Sequence, residues 1–127
     1  MRRYITEGEG LPRWSSPISH AVVVGDTCHL SGQLSLDEAG RHVPDTPAGE
    51  ARRAFGHLFS ALDAAGFAPQ DMVFVDIAFT DLAHVAEVNA VFATLFPEGC
   101  RPARTIYQAA ALPFGGQVKV MGVAMRG

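Results

Sequence analysis

The hydrophobic positions of this chain change period several times, and the changes mark its elements. From Ile18 to Ser35 the chain is rich in Val and Leu and is broken once, by Gly25-Asp26. A Gly-Asp pair between Ala21-Val22-Val23-Val24 and Cys28-His29-Leu30-Ser31 predicts two strands joined by a tight turn. Asp37 to Pro47 holds Gly40, Pro44 and Pro47 and reads as a loop. Beyond it, Ala51, Ala54, Phe55, Leu58, Phe59 and Leu62 recur at three and four residues, which places them on one face of a helix. That helix is predicted from about Ala48 to Ala65, with Gly66 at the C-terminal cap. Met72 to Ile77 is a nearly continuous apolar run and predicts a strand. Leu82, Val85, Val88, Phe92 and Leu95 then return to helical spacing, from an N-cap near Asp81 to a stop at Pro97. Thr105 to Ala110 and Gln117 to Met125 read as the last strands, separated by a turn at Gly115-Gly116.

The resulting order, β-β-α-β-α-β-β, predicts an α+β fold with two amphipathic helices packed on one face of a mixed sheet. No helix remains for the other face. Val22, Val24, Val118 and Val120 are assigned there by alternation and are too apolar to sit in water, so the sheet is expected to associate with copies of itself.

Composition narrows the picture further. A chain of 127 residues is expected to form one domain, spanning 1–127, and its 48% hydrophobic content can fill a core without disulfides or a structural metal. Charged residues make up 18% and the net charge is −3, with basic residues scattered apart from Arg2–Arg3 and Arg52–Arg53. That balance argues against nucleic acid as a partner, because phosphate binding needs clustered cations. No apolar run approaches the roughly 18 residues of a membrane span, and the N-terminus lacks a secretory pattern. The expectation is a cytoplasmic protein with no membrane partner, in which Cys28 and Cys100 are free thiols.

The candidate chemistry is sparse. His20, His29, His42, His57 and His84 form no HxH or HExxH arrangement, and no Cys/His cluster has ligand spacing, so no metal site is expected. His42, His57 and His84 read as surface residues. No GxSxG elbow supports a serine nucleophile. One segment is different: Cys100-Arg101-Pro102-Ala103-Arg104-Thr105 sets two arginines beside an otherwise apolar strand. Arg104 falls where Pro102 has just fixed the chain, at the start of that strand. From the residues alone it is either a guanidinium aimed at an acid or an ordinary surface or ion-paired arginine.

Ser31-Gly32-Gln33, Glu87-Val88-Asn89 followed by Phe92 and Phe96-Pro97, and Arg101-Pro102-Ala103-Arg104-Thr105 together resemble the signatures of the reactive intermediate deaminase family (Rid, also YjgF or L-PSP endoribonuclease). The resemblance runs in order from about Ser16 to the C-terminus, and the (R/K)-P-A-R-(S/T) string is its most specific part. It implies a chorismate-mutase-like fold, a homotrimer with clefts between subunits, and no cofactor. It also implies hydrolysis of small carboxylate-bearing enamines and imines, such as 2-aminoacrylate, to 2-keto acids and ammonia. By position, Arg104 would grip the substrate carboxylate through a paired, charge-assisted contact. Ser31, Gly32 and Asn89 match other residues that line or shape the cleft.

Two positions depart from the pattern. Ile18 stands where the well-studied deaminases carry a Tyr, and Met121 stands where they carry the Glu that holds the attacking water. With Phe114, these residues give a more apolar cleft, suited to a larger hydrophobic acid. His20 lies two residues from Ile18, so on a strand the two would share a face and its imidazole could replace the missing acid or base. A structural histidine is the alternative. A non-catalytic trimer that binds carboxylate metabolites is the second functional reading, and a ribonuclease, as one family name suggests, is the least consistent with the charge.

Overall fold

A computed structural model describes residues 1–127. Eight elements make up the fold: β1 (Arg2–Ile5), β2 (Ala21–Val24), β3 (Thr27–Gln33), α1 (Pro47–Ala65), β4 (Met72–Phe79), α2 (Val85–Leu95), β5 (Ala103–Gln108) and β6 (Val118–Met125). The strands form one mixed sheet in the order β1-β2-β3-β6-β4-β5. All pairings are antiparallel except β4–β5, which is parallel and therefore needs the α2 crossover between its strands. Both helices cover the same face, so the α+β architecture expected from the pattern is the one observed.

Local chemistry accounts for the helix limits. Thr46 caps α1 with its side-chain oxygen, which accepts from the Gly49 amide at 3.1 Å, and Pro47 opens the first turn. Gly66 closes it at φ 81°, the left-handed conformation that glycine adopts without steric cost. Asp81 caps a short 3₁₀ turn, Leu82–His84, that leads into α2. Ala51, Ala54, Phe55, Leu58 and Leu62 of α1 are fully buried against the sheet. Phe55, Phe59, Phe92 and Phe96 interlock between the helices with ring centroids 4.7–6.1 Å apart. This aromatic cluster fixes α2 where it will support the site.

Two expectations about the sheet are corrected. Val118 and Val120 are fully buried in the helix-covered core; only Val22 and Val24 of the four valines face the open side. The phase of β6 puts Lys119, Met121 and Val123 on that open side, so it is less apolar than expected, with His29, Asp76 and Thr105 among its residues. The second correction is β1, an N-terminal edge strand that the sequence pattern did not indicate, because Arg2-Arg3-Tyr4-Ile5 shows no alternation. It is held by pairing with β2 and by a 2.7 Å hydrogen bond from Arg3 to the Ala65 carbonyl.

Candidate active site

Arg104 is the second residue of β5, inside the strand and not ahead of it. Its register partner is Val75, a core residue, so the Arg104 side chain leaves the sheet on the helix side. Because β5 is the sheet edge, no further strand covers the guanidinium there. It lies over the Phe92 ring, with Cζ 4.8 Å from the centroid, and Nη1 donates to Asn89 Oδ1 at 2.7 Å. Asn89 and Phe92 are three residues apart on α2, hence on one helix face. No carboxylate pairs with Arg104. The arginine is thus oriented by a neutral amide and an aromatic face, and its positive charge is left uncompensated.

Around it lies an open groove of about 410 Å³, lined by Asn89, Phe92, Ala93, Arg101, Pro102 and Arg104. Arg101 is committed elsewhere, donating from Nε to the Phe96 carbonyl at 3.0 Å. A larger groove, about 550 Å³, is formed by residues 6–13 and Glu38. There Glu7, Glu9 and Glu38 face a single guanidinium, Arg13, which is the wrong balance for an acid.

Of the residues singled out in the sequence, the chain brings Arg104 and Asn89 together. Ser31, Gly32, Ile18, Phe114 and Met121 do not line their groove. Ser31 donates to the Ser19 carbonyl at 2.6 Å. A Cβ at Gly32 would meet the Lys119 side chain at 3.0 Å, so glycine leaves room for that chain to lie across the backbone. Met121 sits on the open face directly opposite Asp76. Ile18 and Phe114 are exposed, and Phe114 is held at φ 63°, a strained conformation for an aromatic residue.

His20 is not beside Ile18. The strand begins only at Ala21, and while Ile18 is 54% exposed, His20 is 2% exposed. Its Nδ1 accepts from Gln33 Nε2 at 3.0 Å and its Nε2 donates to the Pro12 carbonyl at 3.0 Å. Trp14 stacks on the ring at 4.0 Å. Burial lowers its pKa, opposed by the Pro12 hydrogen bond and aided by the charge of His57. Both nitrogens are occupied, which makes it a structural histidine. His42, His57 and His84 are half-buried instead of freely exposed: His42 reaches Glu50 at 3.2 Å, His57 bridges the Gly10 and Leu36 carbonyls, and His84 meets Glu87 at 3.1 Å. Two features escaped the sequence reading. Phe92 acts as the platform under Arg104, and Asp76 stands as the one carboxylate in β4. An acid inside an apolar run was the available signal for the latter.

The family model for endoribonuclease L-PSP matches residues 11–126. The chain belongs to this family, the Rid or YjgF proteins. Among curated relatives, this Rid chain is 38% identical over 117 residues to a 2-iminobutanoate/2-iminopropanoate deaminase of Bos taurus, covering 91% of the chain and 85% of the relative. The deaminase of the same name from Homo sapiens is 33% identical over 128 residues, covering 100% and 92%. Among solved structures, RidA from the Antarctic bacterium Psychrobacter aligns with a TM-score of 0.89 at 32% identity, covering 98% of this chain and 100% of that one. Arg101 to Thr105, the segment that carries the edge-strand arginine, lies within the matched region. No helix of this Rid chain is long and apolar enough to cross a membrane.

Proposed function

We propose that this Rid-family chain is an enamine/imine deaminase-type hydrolase, which converts a small carboxylate-bearing intermediate to a 2-keto acid and ammonia. The observation that carries the reading is Arg104: a guanidinium fixed by Asn89 and Phe92 and paired with no carboxylate of its own chain. Such a fork is matched to a carboxylate, which it holds by two parallel charge-assisted bonds. The enamine tautomerises to an imine, water adds to the imine carbon, and ammonia leaves. The protein has to fix the acid, protonate carbon and position water.

The site is completed between subunits of a homotrimer. Ser31, Gly32, Ile18, Phe114 and Met121 belong to the half of the cleft supplied by a neighbouring copy, in keeping with their absence from the Arg104 groove. The apolar character of Ile18, Phe114 and Met121 favours acids with an apolar side chain over the smallest imines. The nuclease in the family's name is a weaker reading, because a net charge of −3 without clustered cations is poorly suited to a phosphate backbone.

The test is ammonia release from 2-aminoacrylate or 2-iminobutanoate generated in situ. Release above the uncatalysed rate that is lost in Arg104→Ala supports the assignment. Release no faster than in buffer overturns it and leaves a carboxylate-binding trimer as the reading.

A further inference from the structure

Arg101 and Arg104 line the same open groove beside α2. Neither pairs with a carboxylate, so two guanidinium charges border one space in a chain whose net charge is −3. The acids nearest in sequence to Asn89 and Arg101 do not offset them. Glu87 accepts from the Ala48 amide at 3.2 Å and meets His84 at 3.1 Å, and Glu98 lines no part of the groove.

Both arginines are held by neutral groups, in a way that leaves donors free. Arg104 spends Nη1 on Asn89 Oδ1. A guanidinium can only donate, so the amide oxygen faces it and the Nδ2 donors of Asn89 remain. Arg101 spends Nε on the Phe96 carbonyl at 3.0 Å and keeps both terminal nitrogens. Every polar side chain that lines the groove therefore offers donors only. The complement of such a set is a ligand rich in acceptors that carries two negative charges. Phe96 is also the C-cap of α2, where a cation offsets the last carbonyls. That structural role explains the Nε contact, but it does not call for a second uncompensated cation beside the first.

We propose that Arg101 is a specificity-determining residue that gives the groove a preference for dicarboxylic 2-oxo and 2-imino acids. Arg104 takes the carboxylate next to the reacting carbon, and Arg101 takes the one at the far end of the chain. With Nε spent, Arg101 still offers Nη1 and Nη2 as a parallel pair, which is a geometry matched to a carboxylate. The proposal rests on the deaminase reading above and refines its substrate: a carbon chain longer than that of the smallest imines, ending in a second acid.

The experiment is titration calorimetry on the intact protein with 2-oxoglutarate and 2-oxopentanoate, two acids of equal chain length that differ in the terminal carboxylate. Wild type is expected to bind 2-oxoglutarate at least about fivefold more tightly, the upper end of what an exposed ion pair contributes. Arg101→Gln is expected to remove that difference by weakening 2-oxoglutarate alone. Arg101→Lys is expected to keep part of it, because the charge remains. Arg104→Ala is expected to weaken both acids. Equal affinity of wild type for the two acids, or equal weakening of both in Arg101→Gln, would overturn the proposal; Arg101 would then be a cap on α2 and the deaminase reading would stand. A wild type that binds neither acid would instead overturn the reading of Arg104 as a carboxylate anchor.

Discussion

Arg104 and Asn89 are joined by a 2.7 Å hydrogen bond in which the guanidinium donates to a neutral amide oxygen. The choice of amide over acid matters. An Asp at position 89 would satisfy the same N–H and also neutralise the charge that is to meet the substrate. Asn89→Asp is therefore expected to weaken 2-keto acid binding about tenfold, the lower end of what a charged hydrogen bond contributes. Titration calorimetry with 2-ketobutyrate checks it, and unchanged affinity would show that Asn89 does not set the charge of the groove.

Assembly is the second prediction. The open face carries Val22, Val24, Met121, Val123 and Met125 in partly or well exposed positions, with no helix above them. Light scattering at micromolar concentration is expected to give three times the chain mass. A stable monomer would contradict a cleft shared between copies.

The helices and most strands were legible because their signals are local: a three-four apolar period, a Thr or Asp cap, a Gly at the C-terminal cap. What depended on neighbours was not legible. Arg2–Ile5 is a strand only because β2 offers an edge to it. Val118 and Val120 share a face by alternation, but which face cannot be read until β6 is known to lie between β3 and β4. Arg104 and Asn89 were both visible in the motifs, 15 positions apart, whereas the Phe92 platform between them needed the helix and strand in place. Likewise, the paired nitrogens of His20 become evident only once the Gln33 side chain and the Pro12 carbonyl converge on it.

His20 and Glu50 give the third prediction, in two separate pH windows. Burial holds the His20 pKa below its ordinary 6.5, so the neutral ring contributes stability above that pH, and it is lost as pH falls below 6.5 toward the folded value. Glu50 is fully buried; the desolvation that would raise its pKa is outweighed by hydrogen bonds from the Gln117 side chain and backbone and from His42, so its pKa falls below the ordinary 4.5. Its contribution is present above 4.5 and disappears at lower pH. Thermal unfolding midpoints are expected to decline in the His20 window in wild type and to decline less in His20→Ala. That variant should itself be less stable by about 1–3 kcal/mol, since it leaves Gln33 and Pro12 unpaired. Parallel curves for the two proteins as pH falls below 6.5 would refute the assignment.

The central claim is that Arg104 holds the carboxylate of the substrate, and titration of 2-ketobutyrate into wild type, Arg104→Ala and Arg104→Lys tests it most directly. Loss of the guanidinium is expected to weaken binding by roughly 1.5–3 kcal/mol, with little recovery in Arg104→Lys because an ammonium cannot reproduce the planar fork. Equal affinity in wild type and Arg104→Ala would contradict the account, leaving Arg104 a structural residue that ties the β5 edge to α2.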